Sequence, residues 1–257
     1  MPELLRTASL PLLAGLVLAF FVAWTLAGLA FGFALERFVH KPVFALPLAA
    51  GQLRFEAIGN LVFLAVTTVT VTAALRFQVV RLGPGSLARN LGTFGAMLVT
   101  FQIFYWFLHR AMHARSLVWI HRWHHRSHVT SPLTGQSVSF GEACLWMLGY
   151  VGLPILLSRI APLGFYGWAG YLAFNVLGNV AGHANAEPTL AAGGTRVASL
   201  FANPFVYHSL HHARWTGHYG FQAAWMDWLM GTEFPDWQRA FERVRTGKPL
   251  TSLKERC

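Results

Sequence analysis

Residues 91–108, LGTFGAMLVTFQIFYWFL, run without a break into HRAMH at His109 to His113. This junction decides the reading of the chain. The run carries no charged side chain and is close to the ~20 residues that a helix needs to span hydrocarbon. Its end, Tyr105, Trp106 and Phe107, has the aromatic character of a membrane–water belt. If the helix continues past Leu108, His109 and His113 are four apart and share one face, so two imidazoles leave the bilayer aimed at one point.

The composition around that junction is that of a membrane protein. Of 257 residues, 54% are hydrophobic and 12% charged, with 21 Phe and 10 Trp and a mean hydropathy of +0.44. A soluble domain carries about 25% charged residues. Disorder, collagen and coiled coil are excluded together. The net charge of +10 favours an anionic membrane surface or a cytoplasmic face, and nucleic acid is not the expected partner. With only Cys144 and Cys257, neither a disulfide framework nor a thiolate metal site can be assembled.

Further apolar runs complete an all-α, polytopic reading with four or five spanning helices and a cytoplasmic helical cap that carries the histidines. Leu10 to Leu35 is long enough to span, and too long for the apolar core of a secretory leader. Ala57 to Leu75 is a second span, rich in Val and Thr. Glu142 to Ala181, broken by Pro154, Ser158, Arg159 and Pro162, reads as two short helices in a tight hairpin that returns His183 to the side of His109. Arg110, Arg115, Arg122, Arg126, Arg214, Arg239, Arg243, Arg245 and Lys248 assign that side to the cytoplasm. The same count of spans puts Arg76, Arg81 and Arg89 on the opposite face. The chain is read as one integral membrane domain: an N-terminal membrane hairpin over 1–90, a histidine-box core over 91–232 and a cytoplasmic tail over 233–257.

The chain has 12 histidines, and eight fall in three boxes. His109 and His113 form the first. His121, His124 and His125 form HxxHH, and His208, His211 and His212 repeat it; spacings of three and four place each set on one helical stripe. Several imidazoles within one helical turn at a membrane border repel one another if protonated, and each needs its own partner if neutral. A shared cation resolves both conditions. Neutral imidazole suits Zn, Cu, Fe and Ni, and eight or nine such ligands imply two transition-metal ions. Neither HExxH nor the ExxH of soluble di-iron bundles occurs. Glu142, Glu187 and Asp227 lie near the boxes or a membrane border, where an unpaired carboxylate is costly; they are read as partners of ligand N–H groups. A metal transporter would place its ligands at the bilayer midplane, whereas every box here lies beyond an apolar run. A zinc hydrolase in the membrane is the other rival.

The pattern resembles the fatty acid hydroxylase and sterol desaturase superfamily, membrane oxygenases with histidine-box di-iron centres. The resemblance rests on YWFLHRAMH (Tyr105 to His113), HRWHH (His121 to His125), GHAN (Gly182 to Asn185) and YHSLHH (Tyr207 to His212), followed by GHYG (Gly217 to Gly220) and DWLMGT (Asp227 to Thr232). It implies metal ligation by His109, His113, His121, His124, His125, His208, His211 and His212, with His183 as the ninth. It also implies two iron ions with O2 as co-substrate, zinc being an alternative occupant of isolated protein. The implied reaction is hydroxylation, or less favourably desaturation, of an unactivated C–H bond in a lipid such as a sterol or fatty acyl chain. Many bacterial relatives have His-Pro-x-Glu after the second box; here Ser139, Phe140, Gly141 and Glu142 keep only the Glu. His128, four beyond His124, and His218, where relatives usually show Asn, are the candidates to replace the missing ligand. Tyr105, Trp106, Phe107 and Trp123 are candidate walls of a lipid site. No dinucleotide, flavin or iron–sulfur motif is present, so electrons are expected from an external ferredoxin or cytochrome-type donor.

Overall fold

The computed structural model describes residues 3–257, and they fold as an all-α protein. A short helix α1 (Glu3–Thr7) precedes three long ones, α2 (Leu10–Phe38), α3 (Gln52–Arg76) and α4 (Leu87–Met112). These three, together with Phe140–Ile160, are long and apolar enough to cross a membrane, and the protein is integral to it. Much of their apolar surface faces outward, as at Leu18, Leu26, Phe31, Leu61, Val69 and Val99. Exposed hydrocarbon on this scale belongs in lipid rather than water.

The stretch read as a helical hairpin is one. Its first arm is α6 (Phe140–Met147), a π-turn over Leu148–Gly152 and α7 (Leu153–Ile160); its second is α8 (Phe165–Gly182), which packs on α2 and α4. Pro154 accounts for the interruption. It has no N–H to give to the carbonyl four residues back, that of Tyr150. The indole Nε1 of Trp168 on α8 donates to that carbonyl instead, at 3.1 Å, so the break in one arm is repaired by the other. The start of α8 is fixed by α4, where Thr93 Oγ1 accepts from the Gly164 N–H and Asn90 Oδ1 from that of Gly167.

Between α4 and α6 the chain forms α5 (Val118–His121) and 3-10 turns over His124–Arg126 and Pro132–Gln136. The second turn inserts among α2, α3 and α8: Thr25 donates to Gln136 Oε1, Asn60 to the Leu133 carbonyl and Asn179 to the Gly135 carbonyl. Gly135 is needed for that approach, because a Cβ there would lie 2.6 Å from the Asn179 carbonyl oxygen and 2.8 Å from the Val180 Cα. Gly135→Ala is expected to destabilise the protein by ~1–3 kcal/mol, the usual effect of overpacking against backbone. Gly170→Ala, which would meet only Phe94 Cδ2 at 3.9 Å, is the control. Thermal unfolding in detergent checks the difference; equal midpoints would refute the steric account.

The remaining helices are α9 (Arg196–Ser199), α10 (Phe205–Arg214), α11 (Trp225–Met230) and α12 (Trp237–Arg245). Trp237, Phe241, Val244 and Leu250 bury against Tyr207 and Leu210 of α10. The final residues are thus packed against the helix that carries the third histidine box.

Candidate metal centre

Six of the nine proposed ligands sit where a helix ends or turns, and the other three lie along one helix. His109 is in the last turn of α4 and His113 caps it; His121 ends α5; His124 and His125 occupy the following 3-10 turn; His183 caps α8; His208, His211 and His212 lie on α10. The folded chain sorts all nine into two groups, and within each group one nitrogen per ring lies within 4.8 Å of all the others. His109, His113, His121, His125 and His211 form the first group, and His124, His183, His208 and His212 the second.

The boxes do not act as single stripes. Residues four apart stay together, as in His109/His113, His121/His125 and His208/His212, while the residue at offset three crosses to the other group. A step of four on a helix turns the side chain only slightly past a full revolution, whereas three falls short and aims it to the other flank. His124 and His211 are exchanged between boxes in this way, which ties the two groups into one unit.

The ring orientations are set by oxygen acceptors. Nδ1–H donates to a backbone carbonyl from His109 (Tyr219, 2.7 Å), His124 (Ser137, 3.2 Å), His183 (Asn179, 2.6 Å), His211 (Gly217, 2.7 Å) and His212 (Ser127, 2.9 Å). From His121 it donates to Glu142 Oε1 at 2.7 Å. That fixes the tautomer and leaves the Nε2 lone pair pointing inward. Nε2 of His109, His121 and His212 is buried with no partner, and so are both ring nitrogens of His113. Two facing pairs, His208 Nε2 with His183 Nε2 at 3.0 Å and His211 Nε2 with His125 Nε2 at 3.1 Å, need a proton or a cation between them. Imidazole nitrogens 2.0–2.1 Å from an ion would lie up to ~4 Å apart across it, close to the span of each group. The donor set therefore fits two metal ions.

Protonation does not compete with that fit. Burial lowers the His113 and His124 pKa values to about 4 and that of His183 to about 3. Burial and neighbouring imidazoles hold His121, His125, His208, His211 and His212 well below the ordinary value. Neutral rings keep the lone pairs that a metal requires.

The other sequence candidates separate clearly. Glu142 touches a histidine N–H, that of His121, and also accepts from Trp146. Glu187 and Asp227 touch none. Glu187 accepts from the Val206 N–H at the start of α10, and Asp227 from Trp106, Tyr219 N, Gly220 N, Thr232 and Tyr207. Asp227 thereby holds the loop whose Tyr219 carbonyl orients His109. His218 lies outside both groups: its ring stacks on Tyr207 at 3.5 Å and Nδ1 donates to the Tyr207 carbonyl. His128 corrects the expectation of a continued helix. The 3-10 turn stops at Arg126, Ser127 leaves helical geometry at ψ 77°, and His128 is exposed and in neither group.

Of the four wall candidates, only Tyr105 lines the cavity beside His121 and His124. Trp106 is turned to Asp227 and Tyr219, Phe107 faces outward, and Trp123 packs edge-on to Phe55. A wall's position follows from the helical face, not from closeness in sequence. The cavity is a slot of about 30 Å³, and Phe101, Trp146, Tyr150, Asn175 and Phe221 extend it from the histidines into the membrane-embedded core. Sequence reasoning missed these five; helical spacing below His109 was a signal for Phe101 alone, while Trp146, Tyr150, Asn175 and Phe221 come from other segments brought there by packing. It also missed Trp215, half-buried, with φ +74° and its indole edge-on to His125 and His113.

Fold and site together define a membrane protein with a histidine-rich dimetal site. Residues 94–232, more than half of the chain, match the sequence profile described as fatty acid hydroxylase, and the protein belongs to that family. Its curated relatives are distant. Very-long-chain aldehyde decarbonylase GL1-4 of Oryza sativa subsp. indica is 30% identical over 138 residues, 51% of this chain and 21% of that protein. GL1-6 of the same rice is 29% identical over 153 residues, 57% of this chain and 24% of that protein. Very-long-chain aldehyde decarbonylase CER1 of Arabidopsis thaliana is 29% identical over 139 residues, covering 51% and 21%. The chain thus spans about a fifth to a quarter of the length of these relatives. No solved structure matches.

Proposed function

We propose that the protein is an O2-dependent di-iron oxygenase that hydroxylates an unactivated C–H bond of a membrane lipid such as a sterol or fatty acyl chain. One observation carries this reading: nine imidazoles, eight buried and His113 half-buried, six with Nδ1 tied to an oxygen, gather into two groups, and His121 and His124 among them open on a slot walled by Phe101, Tyr105, Trp146, Tyr150 and Phe221. The nine histidines are the proposed ligands, with Glu142 orienting His121. Two bound iron ions would supply O2 reduction and hydrogen abstraction, chemistry that no side chain here can perform.

The chain's own part is to position and to exclude. Tyr105 stacks on Trp146 at 4.8 Å, and Phe221 stacks on His183 at 5.0 Å and stands edge-on to His208. This aromatic wall keeps water from the second histidine group and offers an apolar surface to a hydrocarbon chain. Because the slot descends past Phe101 to Tyr150, the lipid enters from the bilayer side. Electrons come from a ferredoxin or cytochrome-type donor, for which the exposed Arg110, Arg115, Arg122 and Arg126 beside the histidines provide a basic surface. In this reading that face is cytoplasmic.

The test is turnover of iron-loaded protein with reduced ferredoxin and lipid extract under 18O2. The expected result is one labelled oxygen in a hydroxylated lipid. The relatives are named for action on very-long-chain aldehydes, so those are assayed in parallel. Products without label would refute the hydroxylase reading. Zinc without iron, with activity surviving the removal of O2, would establish a hydrolase instead.

A further inference from the structure

The face of the bundle remote from the histidines holds a second cavity system that the proposed reaction does not use. It lies where α2 begins, α3 ends and α8 begins. A cavity of about 170 Å³ opens between these helices, and its lining, which includes Val17, Phe21, Val71 and Leu172, is wholly aliphatic or aromatic. Phe21 lies eleven residues into α2, roughly 16 Å along its axis. That is about the depth of one leaflet, half of a ~30 Å hydrocarbon core. Leu75 and Trp168 are shared with a wider cavity of about 580 Å³ whose mouth carries Arg6, Arg81 and Gln78. The two spaces are therefore contiguous: a hydrocarbon slot below and a cationic vestibule above.

Charge on this face is one-sided. Arg6, Arg76, Arg81, Arg89 and Arg159 lie at these helix ends and loops, whereas Glu3 is the only acid there among the described residues. Glu3 is paired with Arg6, but both are well exposed, and such a pair is easily exchanged for a stronger one. No described carboxylate pairs with Arg76, Arg81 or Arg159. A guanidinium presents its planar donor fork to phosphate oxygens especially well. Helix α1 contributes to both parts, since Leu5 lines the apolar cavity and Arg6 the vestibule.

We propose that this is a binding site for one anionic phospholipid of the leaflet opposite the histidines. Its phosphate lies between Arg6 and Arg81, and one acyl chain lies in the apolar cavity between α2, α3 and α8. A zwitterionic headgroup brings its own cation into the vestibule and is disfavoured there. Occupancy docks α1 across the groove through Leu5 and Arg6. The site lies on the other membrane face from the metal centre, so the proposal does not rest on the hydroxylase reading.

The full chain, delipidated in detergent, is titrated with phosphatidylglycerol, phosphatidylcholine or inorganic phosphate and read by native mass spectrometry. The expected result is one phosphatidylglycerol per chain, held at least about tenfold more tightly than phosphatidylcholine and not displaced by phosphate. Arg6→Gln with Arg81→Gln is expected to weaken retention about tenfold or more, while Arg159→Gln, on the same face but outside both cavities, leaves it within about twofold. Ala169→Phe, or Ala169→Leu if the larger ring does not fold, fills the apolar cavity and weakens retention with the charge unchanged. Equal retention of the two lipids, equal effects of the double variant and Arg159→Gln, or displacement by phosphate would each overturn the proposal. So would full retention by the cavity-filled variant.

Discussion

His124→Ala is expected to lower turnover by more than about 100-fold and to reduce bound metal from two ions per chain toward one. Partners that merely orient a ligand are worth 10–100-fold in metal affinity or activity, so loss of a ligand exceeds that range. The second group holds four imidazoles and would keep three, while the five of the first are untouched. No nearby residue can take over. The other imidazoles in reach, His121 and His125, belong to the first group, and Ser137, which anchors His124, does so through its carbonyl. The control is His128→Ala, because His128 is exposed, belongs to neither group and should alter neither metal content nor rate. Metal analysis beside single-turnover kinetics decides the matter. Two ions and near-normal turnover in His124→Ala would remove His124 from the ligand set.

The long helices were legible because lipid imposes its demand on every residue of a span. An uninterrupted apolar run such as Leu91 to Leu108 has few other readings, and the structure extends it only by a turn at each end, to Leu87–Met112. The histidine positions were legible for a related reason, since spacings of three and four survive in sequence as they do on a helix. Their division into two groups was not. It depends on the crossing of separate segments, which places His211 against His125 and His183 against His208. Backbone carbonyls were equally invisible: those of Ser127, Ser137, Asn179, Gly217 and Tyr219 orient five rings, yet a carbonyl leaves no trace in residue type. The break at Pro154 could be read, but its repair by Trp168 could not, because that bond belongs to the packing of two arms.

The N-terminal region offered little to a search for metal ligands, yet Glu56 on α3 governs the segment between the second box and α6. Its carboxylate is fully buried. Oε1 accepts from Gln52 Nε2 at 2.9 Å, Ser127 Oγ at 2.6 Å and Thr134 Oγ1 at 2.6 Å, and Oε2 accepts from Ser131 Oγ at 2.7 Å. Glu56→Ala leaves four buried donors without this acceptor. A buried donor left without its acceptor costs ~1–3 kcal/mol; allowing for hydroxyls that turn to other acceptors, the loss is roughly 3 kcal/mol or more. The effect reaches the metal centre through the same chain segment, because the Ser127 carbonyl holds His212 at 2.9 Å and the Ser137 carbonyl holds His124. A loosened segment frees both rings, so metal affinity is expected to fall about 10–100-fold, the range for partners of ligands. Glu56→Gln separates the two consequences. Its amide oxygen can replace Oε1, and its NH2 can donate to Ser131, whose hydroxyl accepts as well as donates. The fold should then survive with a smaller loss of affinity, ordered between wild type and Glu56→Ala. Unfolding midpoints and metal titrations of the three proteins test that order. A Glu56→Ala protein with unchanged midpoint and unchanged affinity would show that the hydroxyl cluster holds its shape alone and that this acid does not position the histidines.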